Sequence, residues 1–400
     1  MNIHEICNGV YYVGVNDRTT HRFEGLWPLP AGVSYNSYIV KGERVALIDT
    51  VHVAQSSKFL NRIGEIIGDA AIDYLVINHM EPDHSGSIEA IKAKYPALKI
   101  VGNGKTAAML KGFYGIGSED VVTVADGDVI DLGGGKTLKF VFTPMVHWPE
   151  TMMTYVEQDG VLFSGDAFGC FGALNGGVVD SQMDTTPYYP EMYRYYSNIV
   201  AKYGQFVQKA IAKFDGVPIR YVCSTHGPVW HDEIARVVDI YSRMARFEGE
   251  PGVVVAYASM YGNTEELAET IAAELSRNGV RNIRIYNLSH SDLSMVLADV
   301  MRYNGLIIGG PTYNNGLFPE VERLLSALKS REIKNRYVGC FGSGSWAPVS
   351  SKNIKASLDC MKVEQVGEPF DMKCAATGAD IEACRSLAAA MAARVNGGVE

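Results

Sequence analysis

The sequence contains no apolar run approaching the roughly 20 residues of a membrane-spanning helix, so a helical membrane protein is excluded and no membrane partner is expected. It contains no Cys-x-x-Cys pair, and its seven cysteines are an odd number. That removes a disulfide framework and a zinc ribbon, and leaves free thiols, as in the reducing cytoplasm. The first thirty residues carry His4, Glu5, Asp17 and Arg18 and no apolar core, so no secretory signal is expected. Neither a low-complexity tract nor an internal repeat is present. Excess positive charge is also missing: the formal net charge is -9, which argues against a nucleic-acid partner.

What is present is 400 residues, 47% of them hydrophobic, too many for one ordinary core and enough for two. The pattern changes at Gly249-Glu250-Pro251-Gly252, a stretch of breakers that reads as a linker. Before it, short strands dominate. Gly9 to Val15, Tyr35 to Lys41 and Arg44 to Asp49 are expected strands, with a hairpin turn at Gly42-Glu43. The prolines and glycine of Arg22 to Pro30 argue against regular structure there, leaving an aromatic lid or plug around Trp27. After the linker, strands alternate with helices. The expected domains are therefore 1–248 and 253–400.

The densest chemistry is His79-Met80-Glu81-Pro82-Asp83-His84, four metal-capable side chains in six positions after the apolar run Tyr74 to Ile77. Pro82 argues against a helix through the motif, which places the ligands on a loop at a strand end. Imidazole and carboxylate together suit iron, manganese or zinc. His79 and Glu81, two apart, can converge, whereas Asp83 and His84 diverge, so one loop can feed two neighbouring ions. Three further residues stand at expected strand ends: His147 after Leu138 to Phe142, Asp166 after Val161 to Ser164, and His226 after Arg220 to Ser224. A short carboxylate such as Asp166 can give one oxygen to each of two ions. Asp49, also ending a strand, could orient a ligand histidine or bond a loop amide. His231 reads as a surface residue.

In the second half, three loops follow the first, third and fourth strands of a parallel pattern, where open α/β sheets bind ligands. Ser259-Met260-Tyr261-Gly262-Asn263-Thr264 lies between the apolar run Val253 to Ala258 and a helical stretch, so it can take a phosphate at a helix N-terminus. It lacks Gly-x-Gly-x-x-Gly and a Walker lysine, which weakens dinucleotide and nucleoside triphosphate readings. Pro311-Thr312-Tyr313-Asn314-Asn315-Gly316 and Ser343-Gly344-Ser345-Trp346 offer backbone donors and a large aromatic, suited to a flat ring system.

The motif at 79–84 resembles the metallo-β-lactamase superfamily, with Glu81 where its hydrolases have a second His of His-x-His-x-Asp-His. That change, with His147, Asp166 and His226 following in order, resembles the flavodiiron proteins. The second half resembles flavodoxin. The resemblance covers essentially the whole chain and implies an α/β fold: an N-terminal metallo-β-lactamase-like αββα sandwich followed by a flavodoxin-like doubly wound parallel sheet. It implies two irons per chain, one held by His79, Glu81, His147 and Asp166, the other by Asp83, His84, Asp166 and His226, the role of His84 varying within the family. It implies FMN in the three loops, with Trp346 flanking the ring.

The implied activity is that of an oxidoreductase reducing dioxygen to water, nitric oxide to nitrous oxide, or both. Two ferrous ions and fully reduced FMN together hold the four electrons that dioxygen needs, and nitric oxide coupling needs two. With no Cys-x-x-Cys, a fused rubredoxin is not expected, so an external donor, rubredoxin or another reduced carrier, is implied. A head-to-tail homodimer, or a dimer of such dimers, would set the Trp27 loop and the Trp148-Pro149 turn against a partner's flavin. The alternative from a different class is a zinc hydrolase fused to a flavodoxin.

Overall fold

A computed structural model describes residues 4–397. The chain divides into two compact units, one ending at Ser242 and the other starting at Arg243.

The first unit holds two sheets. The larger has seven strands, in the order His4–Cys7, Val10–Tyr12, Tyr38–Lys41, Val45–Ile48, Tyr74–Val76, Lys99–Gly102 and Val121–Thr123. It is antiparallel up to Val45–Ile48 and parallel beyond. The expected Gly42-Glu43 turn joins an antiparallel pair. The second sheet orders Val129–Gly133, Lys136–Phe142, Met152–Val156, Val161–Gly165 and Tyr221–Ser224, its last pair parallel. The Met152–Val156 and Val161–Gly165 strands are buried throughout, as expected of a sheet covered on both faces. The sheets meet through Tyr38, whose ring lies 5.2 Å from Phe163 and whose hydroxyl donates to Ser224 O at 2.6 Å.

Two expectations fail locally. Arg22 to Pro30 is not irregular: Arg22–Phe23 pairs with Trp27–Pro28 as a small hairpin, its tip at Glu24 and Gly25 in positive φ. Pro28 sits at a strand end and Gly25 in the turn, so the breakers shape the hairpin. Nor does Pro82 keep the metal motif out of a helix. It occupies the first position of a single turn, Pro82–Ser85, where its missing N–H costs nothing.

The second unit is one six-stranded parallel sheet. From one edge the strands are Ile283–Asn287, Glu250–Tyr257, Tyr303–Pro311 and Lys334–Gly344, the last flanked by Lys362–Gln365 and Phe370–Lys373 along successive halves. This is the 2-1-3-4-5 doubly wound order. Alternate residues Val253, Val255 and Tyr257 pack with Leu267, Ile271, Leu387 and Met391 of two helices, Asn263–Arg277 and Gly378–Asn396. The first strand starts at Glu250, inside the stretch read as linker. Pro251 is accommodated because the pairing with Tyr303–Pro311 is irregular between Glu250 and Val253. The buried Arg336 donates to Phe247 O at 2.7 Å and draws the residues before the strand into this unit.

Candidate functional site

Each sequence-predicted ligand of the first unit stands on a connection leaving a strand, and the fold brings all seven together. Two groups form: His79, Glu81, His147 and Asp166, and beside them Asp83, His84 and His226. None is more than 8% exposed. Within each group the donor atoms lie within 4.8 Å of one another. Asp166 joins the groups. Its Oδ2 is 3.1 Å from His147 Nε2 and 3.4 Å from His79 Nε2, while its Oδ1 is 3.0 Å from His84 Nε2 and 3.8 Å from His226 Nε2. Glu81 Oε2 lies 3.2 Å from His79 Nε2 and 3.1 Å from His147 Nε2, and Asp83 Oδ2 lies 3.2 Å from both His84 Nε2 and His226 Nε2.

These side chains fit a pair of cations. Both Asp83 oxygens, both His84 nitrogens and His226 Nε2 are buried without a hydrogen-bond partner, close as the charged neighbours are. Unpaired buried polar atoms are costly, and native proteins have few. Donor atoms about 3 Å apart are also what two bonds of about 2.1 Å to one ion require. The charges reinforce one another. Burial alone would lower the histidine pKa values, but Asp83 and Asp166 outweigh it at His84, and Asp166 and Glu81 outweigh it at His147, pushing each to about 9. Against the same burial, the histidines hold Glu81 and Asp166 far below the usual carboxylate range.

The remaining ring nitrogens are not treated alike. His79 Nδ1 is 2.8 Å from Glu150 Oε1, which also accepts from Met80 N at 2.9 Å, and His226 Nδ1 is 2.7 Å from Ser34 O. Each bond leaves Nε2 free to face the cluster. His84 Nδ1 has no such partner. Of the two roles open to Asp49, the structure selects the loop amide. Its carboxylate accepts from Asn78 N at 2.7 Å and Asn78 Nδ2 at 3.1 Å, while Glu150 orients the ring. Sequence reading missed Glu150, although it ends the same stretch as His147, because its partner lies 71 residues away. It also missed Tyr195. That buried ring is 5.4 Å from His226, and its hydroxyl has no hydrogen-bond partner. Burial and the charges of Asp166, Asp83 and Glu81 raise its pKa. His231, read as a surface residue, is half-buried and stacks 4.4 Å from Tyr221.

Phe23, Tyr35 and Tyr195 enclose His226, and Trp148 stands edge-on to His79 at 5.3 Å. A cavity of about 290 Å³ reaches Glu81 and Asp83 between the 22–28 hairpin, Tyr35 and His52. Glu24 at its rim receives the Trp27 Nε1 hydrogen bond at 3.2 Å.

In the second unit the three predicted loops line one cavity of about 540 Å³. Of the predicted residues, Gly262 and Gly316 do not line it, while Ala347 and Cys374 do and were missed. Gly262 instead supplies the turn, at φ 95°, that starts the helix Asn263–Arg277, whose first turn has no side-chain cap. An uncapped helix start opening into a cavity offers N–H donors to an anion. Thr264 Oγ1 and Ser343 Oγ, 2.8 Å apart, tie the first loop to the third. Tyr261 and Trp346 on the rim are 91% and 82% exposed.

Comparison with known proteins gives a consistent picture. The model of the ODP family beta lactamases matches residues 33–227, and that of flavodoxin residues 255–386. The anaerobic nitric oxide reductase flavorubredoxin of Shigella dysenteriae serotype 1 is 33% identical over 346 residues, 86% of this chain and 72% of its own length. That of Shigella flexneri is 33% identical over 357 residues, 88% of this chain and 74% of its own length. Among solved structures, the rubredoxin oxygen:oxidoreductase of Desulfovibrio gigas has a TM-score of 0.93 at 29% identity, covering 99% of both chains. The flavodiiron protein of Giardia intestinalis has a TM-score of 0.94 at 26% identity, covering 99% of this chain and 97% of its own. The two flavorubredoxins and the Desulfovibrio gigas protein are named as reductases or oxidoreductases and the Giardia protein as a flavodiiron protein, and the zinc-hydrolase alternative is not favoured.

Proposed function

The chain belongs to the flavodiiron proteins, and on that premise we propose that it reduces dioxygen to water, nitric oxide to nitrous oxide, or both. A reduced carrier such as rubredoxin would be the electron source, with FMN held in the second unit and two irons held in the first as the redox groups. The observation that carries this reading is the shared carboxylate: Asp166 presents one oxygen to each of two groups of buried donors, several of which have no other partner. His79, Glu81, His147 and Asp166 would hold one iron, and Asp83, His84, Asp166 and His226 the other. Glu81 adds an anion where a hydrolase has a neutral imidazole, favouring a harder, redox-active metal over zinc.

The bound groups would supply the electrons, two from the ferrous pair and two from reduced FMN. The chain's own residues do the rest. Glu150 fixes the His79 ring through Nδ1, and Ser34 O fixes that of His226. Phe23, Tyr195 and Trp148 pack against the ligand rings and exclude water from them. The cavity beside Glu81 and Asp83 leaves room for a diatomic gas. The test is gas consumption with chemically reduced rubredoxin: oxygen by electrode, and nitrous oxide by gas chromatography under anaerobic nitric oxide. No consumption of either gas by protein holding both cofactors would refute the proposal.

The exposed Tyr261 and Trp346 at the flavin loops, and Leu26 at 56% on the 22–28 hairpin, support a head-to-tail homodimer pairing each flavin with the partner's irons. Mixing His147→Ala chains with chains unable to hold FMN should restore part of the activity, because one junction of each heterodimer is intact. Exchange of subunits without recovery would reject that pairing. All seven cysteines are free, in keeping with the reducing cytoplasm as the protein's setting.

A further inference from the structure

The Trp346 loop joins the end of the strand Lys334–Gly344 to the helix Ser350–Leu358. A helix start leaves its first amides without intrahelical partners, and a Ser, Thr, Asp or Asn at the N-cap ordinarily serves them. Here the N-cap is Val349, which has no side chain for the task. The caps come from elsewhere. Thr312 Oγ1 accepts from Val349 N at 2.9 Å and from Ser350 N at 3.2 Å. Asp371 Oδ1 accepts from Ser351 N at 3.1 Å, and its Oδ2 from Ser351 Oγ at 2.6 Å. Asp371 stands on the strand Phe370–Lys373, directly opposite Gly342 in the parallel register. A Cβ on Gly342 would lie 1.9 Å from Asp371 Oδ1. Gly342 is therefore the space that the Asp371 carboxylate occupies, and its φ is not in the region that demands glycine.

We infer that Gly342, Asp371 and Ser351 form a latch that positions the Trp346 loop over the cofactor cavity. It rests on the reading that this cavity takes FMN. Asp371 touches none of the cavity and acts only through the loop: it fixes the loop's far end at Ser351, while Cys374 N, donating to Gly344 O at 3.0 Å, fixes the near end. Trp346 itself is 82% exposed, so little of its own packing holds it in place. A carboxylate at a helix start is also stabilised by the helix dipole, which keeps the latch closed.

Asp371→Ala removes the acceptor, and Gly342→Ala displaces it while leaving it in the chain. The two should act alike: each weakens FMN binding several-fold and shifts the flavin midpoint potential. Combined, they should do no more than either alone, since both break one contact. Far-ultraviolet circular dichroism of each variant excludes unfolding as the cause, and Asp371→Asn, which keeps one acceptor for Ser351 N, should recover part of the FMN affinity. Unchanged FMN affinity and potential in folded Asp371→Ala, or strictly additive effects of the two substitutions, would overturn the latch. Failure of the wild-type protein to bind FMN would instead overturn the reading on which it rests.

Discussion

The seven residues of the candidate metal site are at most 8% exposed, whereas Tyr261 and Trp346 on the rim of the second unit's cavity are 91% and 82% exposed. The first site is made of buried charges that already face one another and, for His79 and His226, of outer partners that lock the rings. The second is made of loop backbone and aromatic faces tied together by a few hydrogen bonds. A di-metal centre needs donors placed to a few tenths of an ångström in a water-poor setting. A flavin brings its own chemistry and needs a cradle that an electron donor can approach. Substitutions should therefore break the first site abruptly and degrade the second by degrees.

The sharpest expected break is Asp166→Ala. It removes an oxygen from both groups at once, so iron content should fall to background and gas reduction with it, while FMN stays bound in the other unit. Metal analysis beside the flavin absorbance checks this; retention of both irons would refute the shared carboxylate. Glu81→His comes next: iron should be displaced by zinc and oxygen consumption lost, again with FMN retained. Unchanged oxygen consumption would remove Glu81 from the ligand set.

Glu150→Gln probes the outer partner. It keeps the shape, but its amide can offer His79 Nδ1 an N–H where a carboxylate stood. Partners of this kind are worth about 10–100-fold in metal affinity or activity, and a loss in that range is expected in iron binding. The smallest effect belongs to the open site. Trp346→Ala should remove about 0.5–1.5 kcal/mol of aromatic contact, a change of about 2–10-fold in FMN affinity, with altered flavin fluorescence. A complete loss of FMN from Trp346→Ala would show that the second site is as brittle as the first.

The same contrast governed what the sequence could reveal. The candidate ligands between His79 and His84 fall within six positions, and His147, Asp166 and His226 each follow an apolar strand, so periodicity set each at a strand end, while only the resemblance to the flavodiiron proteins joined them into one set. The three cofactor loops were legible for the same reason, since a doubly wound sheet binds at its carboxyl edge. Partners that act across the fold were not legible. Glu150 meets His79 over 71 positions, and Asp371 meets Ser351 over 20. Tyr195 ends the regular helix Tyr188–Tyr195, immediately before the widened turn Tyr196–Val200, and no simple period marks such a residue as facing a site. Pro82 and the breakers of 22–30 misled because a proline's effect depends on its position: at the first residue of a helix, or at a strand end, it fits.

The most direct test of the account is metal and flavin analysis of protein purified without oxygen. Two donor groups joined by the one carboxylate of Asp166, with one flavin cavity, predict about two irons and one FMN per chain. Zinc in place of iron, with no flavin bound, would contradict it.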